Sequence, residues 1–416
     1  MKSIMNFAVL FSLGVLGIGG CSKGLHAGES GNQDQPAPVK QISISPVVQG
    51  NMNDFAFNFL HHLEASAPKE ENFFVSPLSL HMDLGMVLNG TSGSTYDEML
   101  KVLDLDGKNI EEVNKAYKTL LKELPNADPK VQLGLYNSIW YKKAFSFKQD
   151  YLKNIQDNFE ATVKGLDFKP GDASYINDWA SEKTNGKIKK VLEAIQADDV
   201  MFLLNALYFK GDWRSKFDKA NTRSSDFHLE DGNSKQVQMM HQTSKFKHYN
   251  GTDYTAVQLP YGNGQFAMTV ILPKQGHTVN TVLSDFGSTD WADIQDKMVT
   301  GQLNLGLPRF TIPAYEIKLN PVLQAMGMKA AFNSNTADFS NMTTQNVYVN
   351  FVKQNTYLKV DEEGTEAAAV TTTGIVATSI QIPQEFICDH PFGIIISERT
   401  SNTILFMGKI MDPDSE

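Results

Sequence analysis

From Asn51 to Ser415 the sequence offers no place to divide, since no linker and no internal repeat interrupts that span. A stretch this long without a break folds around one shared core or a few tightly joined ones. Its two ends differ in texture. Phe55, Phe59 and Leu63 recur at spacings of four, which puts them on one face of a helix. Ser76-Pro77 follows, a hydroxyl that accepts from orphan first-turn amides and a proline preset for the first helical position. Leu80, Leu84, Val87 and Leu88 then predict a buried helical stripe. From Val131 onward, apolar and β-branched runs such as Leu133–Tyr141 and Met201–Phe209 read as strands. Gln258–Tyr261 and Ala267–Leu272 predict a hairpin around Gly262-Asn263-Gly264, where Gly and Asn supply positive dihedrals. Helices early and strands late predict one α+β domain built around large sheets.

Of 416 residues, 41% are apolar and 20% charged, enough to bury a large core and to exclude a disordered chain. The 37 basic and 47 acidic side chains give a net charge of -10, the wrong sign for a nucleic-acid binder or a polybasic membrane-surface protein. Lys115, Lys118 and Lys122 alternate with Glu111, Glu112 and Glu123, so no glycosaminoglycan site is expected either. Two cysteines, Cys21 and Cys388, exclude a multi-disulfide scaffold and a cysteine-based zinc site.

The start of the chain reads as an address. Met1-Lys2-Ser3 is a short basic head, and Ile4–Ile18 is an apolar run too short to span a bilayer comfortably. It ends in Ile18-Gly19-Gly20-Cys21, which resembles a bacterial lipobox, where the signal is cut before a cysteine that then carries lipid. Residues 1–20 are therefore expected to be a signal peptide and 21–50, with Gln35-Pro36-Ala37-Pro38, a lipid-attachment cysteine and flexible tether. A folded domain is expected over 51–416. Export to a bacterial envelope, an outer membrane by preference, or to the extracellular space follows, with membrane contact through the lipid alone.

Catalytic patterns are missing. There is no Gly-x-Ser-x-Gly elbow, His-Glu-x-x-His, phosphate loop or Gly-x-Gly-x-x-Gly. His61-His62, His241 and His248 lack acidic or thiol partners at ligand spacing, so no metal is expected. Cys388 sits in an apolar run and reads as core. An enzyme is not expected, and no cofactor is implied.

One segment fits neither a solvated linker nor an ordinary strand. Gly364–Ile382 carries a single charge, no proline and no aromatic residue. Its small and β-branched residues would let it slide between two strands without a clash or a lost backbone donor. With Thr365, Ala367, Ala369 and Thr371 facing inward, Glu366 faces outward, where its charge stays in water.

Seven ordered motifs frame this segment and resemble the serpin family over nearly the whole mature chain. They are Asn72–Ser79, Ile176–Trp179 with Lys183–Ile188, Asn205–Trp213, Leu307–Phe310, Ala337–Ser340, Asp361–Ala369 and His390–Phe392. The resemblance implies an α+β serpin fold with three β-sheets, about nine helices and an exposed reactive-centre loop near 362–383. It implies a hinge at Glu362, Gly364, Thr365, Glu366, Ala367, Ala368 and Ala369, whose small residues are of the inhibitory type. Ser76, Ser79 and Asn205 match positions beneath the sheet opening. Trp213, Arg309 and Glu362 match the place where insertion starts, and Arg309 is suited to pair with Glu362. Gln354 stands where the family usually has a histidine, so it hydrogen-bonds without titrating near neutrality.

Counting forward from Glu362 by the family spacing puts the cut bond at Thr378-Ser379, with Val376-Ala377 and Ala377-Thr378 as alternatives. Counting back from Pro391-Phe392 gives Ile380-Gln381. The forward count is preferred because insertion fixes the hinge-side length. Small uncharged residues there suit elastase-like or subtilisin-like serine proteases; a trypsin-like pocket finds no Lys or Arg between Thr365 and Ile382. The expected function is irreversible, suicide-substrate inhibition by a metastable monomer. The alternative is a non-inhibitory serpin acting as a binding or carrier protein.

Overall fold

The computed structural model describes residues 37–197, 199–365 and 383–414. Cys21, Glu366, Ala367, Ala368, Ala369, Val376, Ala377, Thr378 and Ser379 therefore lie outside the described residues. Within them are nine helices: α1 (Pro46–Ser66), α2 (Pro77–Leu88), α3 (Gly93–Val102), α4 (Ile110–Glu123), α5 (Gln149–Phe159), α6 (Asp172–Lys183), α7 (Val279–Asp285), α8 (Ser288–Lys297) and α9 (Asn320–Met326). The early strands are β1 (Phe73–Val75), β2 (Val131–Lys142), β3 (Thr162–Leu166), β4 (Met201–Asp212), β5 (Arg223–His228), β6 (Ser234–Asn250), β7 (Tyr254–Pro260) and β8 (Phe266–Pro273). The later ones are β9 (Val299–Pro308), β10 (Phe310–Lys318), β11 (Lys353–Val360), β12 (Gly364–Thr365), β13 (Gln384–Ile387), β14 (Phe392–Glu398) and β15 (Thr403–Ile410). No described helix is long and apolar enough to cross a membrane.

The strands form three sheets. The nine-stranded sheet runs β1-β15-β14-β8-β7-β6-β9-β13, with β5 on β6. The second runs β12-β4-β2-β3, and the third pairs β10 with β11. The long apolar β14 and β15 are buried at every residue because they lie mid-sheet beneath helices. Cys388 follows β13 as a fully buried side chain, and burial pushes its thiol pKa well up, away from any nucleophilic state. The predicted hairpin joins β7 to β8, with Gly262 and Gly264 at φ 42° and 89°.

Two cores lie on opposite faces of β4 and β2. Leu207 and Phe209 point into the main core with α1, α2 and the nine-stranded sheet. Phe202 and Leu204 point the other way, into a smaller cluster with Trp140 and with Ile176 and Trp179 of α6. The two-residue period of an extended chain makes this possible, one strand serving both faces.

The flexible tether read over 21–50 stops short of Gly50. Pro46–Gly50 begins α1, and Ile42 is 2% exposed. Lys40 and Gln265 exchange two hydrogen bonds of 2.7 Å, and the Ile42 amide donates to Thr400 Oγ1 at 3.0 Å. These partners are over two hundred residues away in sequence, so local composition gave no hint of them.

Candidate functional site

The site begins where β11 ends. Asp361 and Gly364 exchange backbone hydrogen bonds of 2.9 and 3.2 Å, reversing the chain in a tight turn. Gly364 has φ 148°, and a Cβ on it would lie 2.1 Å from the Gly211 carbonyl oxygen, so only glycine fits. The turn delivers Gly364 and Thr365 antiparallel onto Asp212 and Gly211 of β4. Trp213 locks it from below: its amide donates to the Glu363 carbonyl and its indole Nε1 to the Asp361 carbonyl, both at 2.9 Å. The Trp213 ring also stacks on Tyr261 at 4.5 Å, and Tyr261 Oη lies 3.0 Å from Thr365 Oγ1. Burial raises the Tyr261 pKa, which keeps this phenol protonated.

Three acidic side chains are buried in a row here, and each has its own counter-group. Lys359 Nζ lies 3.3 Å from Asp361. Glu362 accepts from Thr222 Oγ1 at 2.7 Å and faces Arg309 Nε at 3.6 Å. Glu363 meets Lys216 at 3.0 Å and Lys219 at 3.1 Å. Burial works against the Glu363 charge, but the hydrogen bonds and charges of the two lysines outweigh it and hold its pKa below the usual value.

A second group of residues lies under the sheets. Ser76 caps α2, its Oγ accepting from the Ser79 amide at 3.2 Å and donating to the Leu405 carbonyl at 2.7 Å. Gln354 of β11 straddles the Ser76 backbone, accepting from its amide at 2.7 Å and donating to its carbonyl at 3.0 Å. Ser79 Oγ is buried without a partner. The Asn205 backbone pairs with Asn137 across the β4–β2 ladder; its side chain is not among the described atoms. Ser76, Ser79 and Gln354 thus meet under the sheets, while Trp213, Arg309, Glu362, Gly364 and Thr365 meet at the turn.

Among the described residues, β4 and β11 exchange no ladder hydrogen bond, and β12 enters beside β4 at its Asp212 end. Sequence reasoning missed Tyr261, Thr222, Lys216 and Lys219. Each bonds to a partner about a hundred or more positions away, and the only local signal was the apolar turn around Tyr261.

The family described as "Serpin (serine protease inhibitor)" matches residues 50–413. An uncharacterized serpin-like protein of Thermococcus kodakarensis is 33% identical over 383 residues, 90% of this chain and 88% of the relative. Leukocyte elastase inhibitor A of Rattus norvegicus is 31% identical, covering 86% of this chain and 97% of its own. The crystal structure of tengpin, a thermophilic serpin, in its native state superposes with a TM-score of 0.82 at 31% identity, covering 91% and 97% of the two chains. The chain belongs to the serpin family, with the three sheets and nine helices of that fold. Members of this family are typically protease inhibitors rather than enzymes.

Proposed function

We propose that this chain inhibits serine proteases irreversibly, as a suicide substrate cut near Thr378-Ser379. The observation that carries the reading is the course of the hinge. The chain turns at Asp361–Gly364 and pairs Thr365 with Gly211, antiparallel to β4, which among the described residues exchanges no ladder hydrogen bond with β11. The relative named as a leukocyte elastase inhibitor supports the same class of target.

The chemistry is that of an interrupted hydrolysis. The protease serine attacks the Thr378 carbonyl, an ester forms, and the Ser379 amine leaves with the serine's proton. The freed segment then adds as a strand between β4 and β11, a form of β-augmentation within one molecule. About 14 residues at roughly 3.3 Å each carry the ester some 45 Å along the sheet. If each new backbone hydrogen bond contributes about 1 kcal/mol net, insertion gains on the order of 10 kcal/mol, enough to distort the tethered enzyme before water reaches the ester. The uncut form is then held by a barrier rather than by equilibrium. Small, uncharged residues at Val376, Ala377 and Thr378 suit an elastase-like or subtilisin-like pocket.

Incubation with pancreatic or neutrophil elastase, and in parallel with subtilisin, tests activity and bond together. An SDS-stable adduct and a released fragment beginning at Ser379 are expected. A cut loop with the enzyme fully active and no adduct would reject inhibition and favour the carrier reading. We propose also that residues 1–20 direct export and that Cys21 carries lipid at the cell envelope. Labelled palmitate should enter the unaltered chain and not Cys21→Ser; equal labelling of both removes the anchor.

A further inference from the structure

Just beyond the end of β4, beside β6 and β7, the chain gathers cations that it does not neutralise. A pocket of about 180 Å³ opens there, lined by Arg214, Ser215, Lys245, Lys247, Thr300 and Arg399, and no acidic residue stands in its walls. Lys245 and Lys247 share one face of β6 by the two-residue period of a strand, and the ladder sets Thr300 of β9 opposite Lys247. The turn between β7 and β8 brings in the arginines. A Cβ on Gly264 would lie 3.1 Å from Arg214 Nη1 and 3.2 Å from Arg399 Nη1, and Arg399 Nη1 donates to the Gly264 carbonyl at 2.8 Å. Two guanidiniums thus lean on one glycine, whose bare α-carbon leaves room for both.

The acids that could offset these charges are engaged elsewhere. Glu398 precedes Arg399 in the chain, but its oxygens accept from the Thr400 and Ser401 amides at 2.7 Å each and from Gln265 Nε2 at 2.6 Å. Lys216, Lys219 and Arg309 around the nearby turn all have acidic partners; among the described residues Arg214, Lys245, Lys247 and Arg399 have none. Burial, and after it the Arg214 charge, pulls the Arg399 pKa down, as befits a cation without a counter-charge. In a chain of net charge -10, four uncompensated cations around one pocket attract an anion from outside.

We propose that this pocket binds a doubly charged tetrahedral oxyanion, a phosphate or sulfate group held by the Arg214 and Arg399 guanidiniums and the two lysine ammoniums. Planar guanidinium forks match such oxygens two at a time, and the lysines add point charges. Trp213 also lines the pocket, and its amide holds the Glu363 carbonyl, so occupancy braces the segment that clamps the turn. Binding is independent of the insertion reading, since every contributing residue lies in the uncut fold.

Calorimetric titration of the protein with inorganic phosphate, at low ionic strength and a pH where phosphate carries two charges, tests the site. One phosphate bound per chain and a raised melting temperature are expected, sulfate acting alike and chloride at matched ionic strength giving neither. Arg214→Gln and Lys247→Gln, both at exposed positions, should each weaken binding about tenfold, as expected for a lost charged hydrogen bond. Lys115→Gln on α4 makes the same change in net charge and should leave binding unaltered. Glucose 6-phosphate separates the two sources of the group: binding at least as tight as that of phosphate assigns the pocket to a phosphate carried on a larger molecule, and weaker binding assigns it to the free ion. No bound phosphate, binding that chloride reproduces, or binding that survives both pocket substitutions overturns the site.

Discussion

Gly364 is the residue on which the turn after β11 depends, since its φ of 148° and its approach to Gly211 leave no room for a side chain. Gly364→Ala is expected to cost about 1–3 kcal/mol of strain, read as a lower urea midpoint of the uncut chain. Glu363 supplies a pH dependence. Its folded pKa lies below the ordinary glutamate value of 4.5, so its contribution is full above that value and disappears as pH falls through the folded pKa. Stability measured on either side of 4.5 should therefore decline on the acid side, and Glu363→Gln should flatten that decline. An unchanged slope in the variant would remove Glu363 from the account. At this scale legibility depends on distance along the chain. The Ser76 cap could be read because its partner is Ser79, three residues on. Tyr261 was invisible because Thr365 is 104 positions away.

At the scale of elements, the proposed insertion starts from the turn and its two-residue strand. Thr365 is 1% exposed, with its hydroxyl against Tyr261. Thr365→Arg would bury a guanidinium without a counter-charge and stall insertion, converting an inhibitor into a substrate. The measurement is gel analysis after elastase, with cut chain expected and adduct lost; full adduct formation would contradict the hinge argument. Strands β2 and β4 were legible as apolar and aromatic runs, because Leu207 and Phe209 pack into one core while Trp140, Phe202 and Leu204 pack into the other. The beginning of α1 was not, because Ile42 and Pro46 sit in a Ser-, Gln- and Pro-rich stretch whose anchors, Gln265 and Thr400, come from the other end of the chain.

For the molecule as a whole, the three sheets followed from the motifs rather than from periodicity. Strand order is set by pairings such as β1 with β15, which join residues over three hundred positions apart. If insertion gains on the order of 10 kcal/mol, at about 2 °C per kcal/mol for a large domain, the cut form should melt roughly 20 °C or more above the uncut one. Calorimetry before and after limited subtilisin digestion checks this, and identical transitions would favour the carrier reading. Reciprocal bonds between Asp361 and Gly364, with Thr365 already seated on Gly211, carry a kinetic consequence. On the proposed insertion, the leading rung is in place before any enzyme arrives, so no diffusive search for a docking point precedes the race against deacylation. On that proposal, speed is governed by how fast neighbouring rails part, and extra length beyond the proposed cut at Ser379 leaves it unaltered.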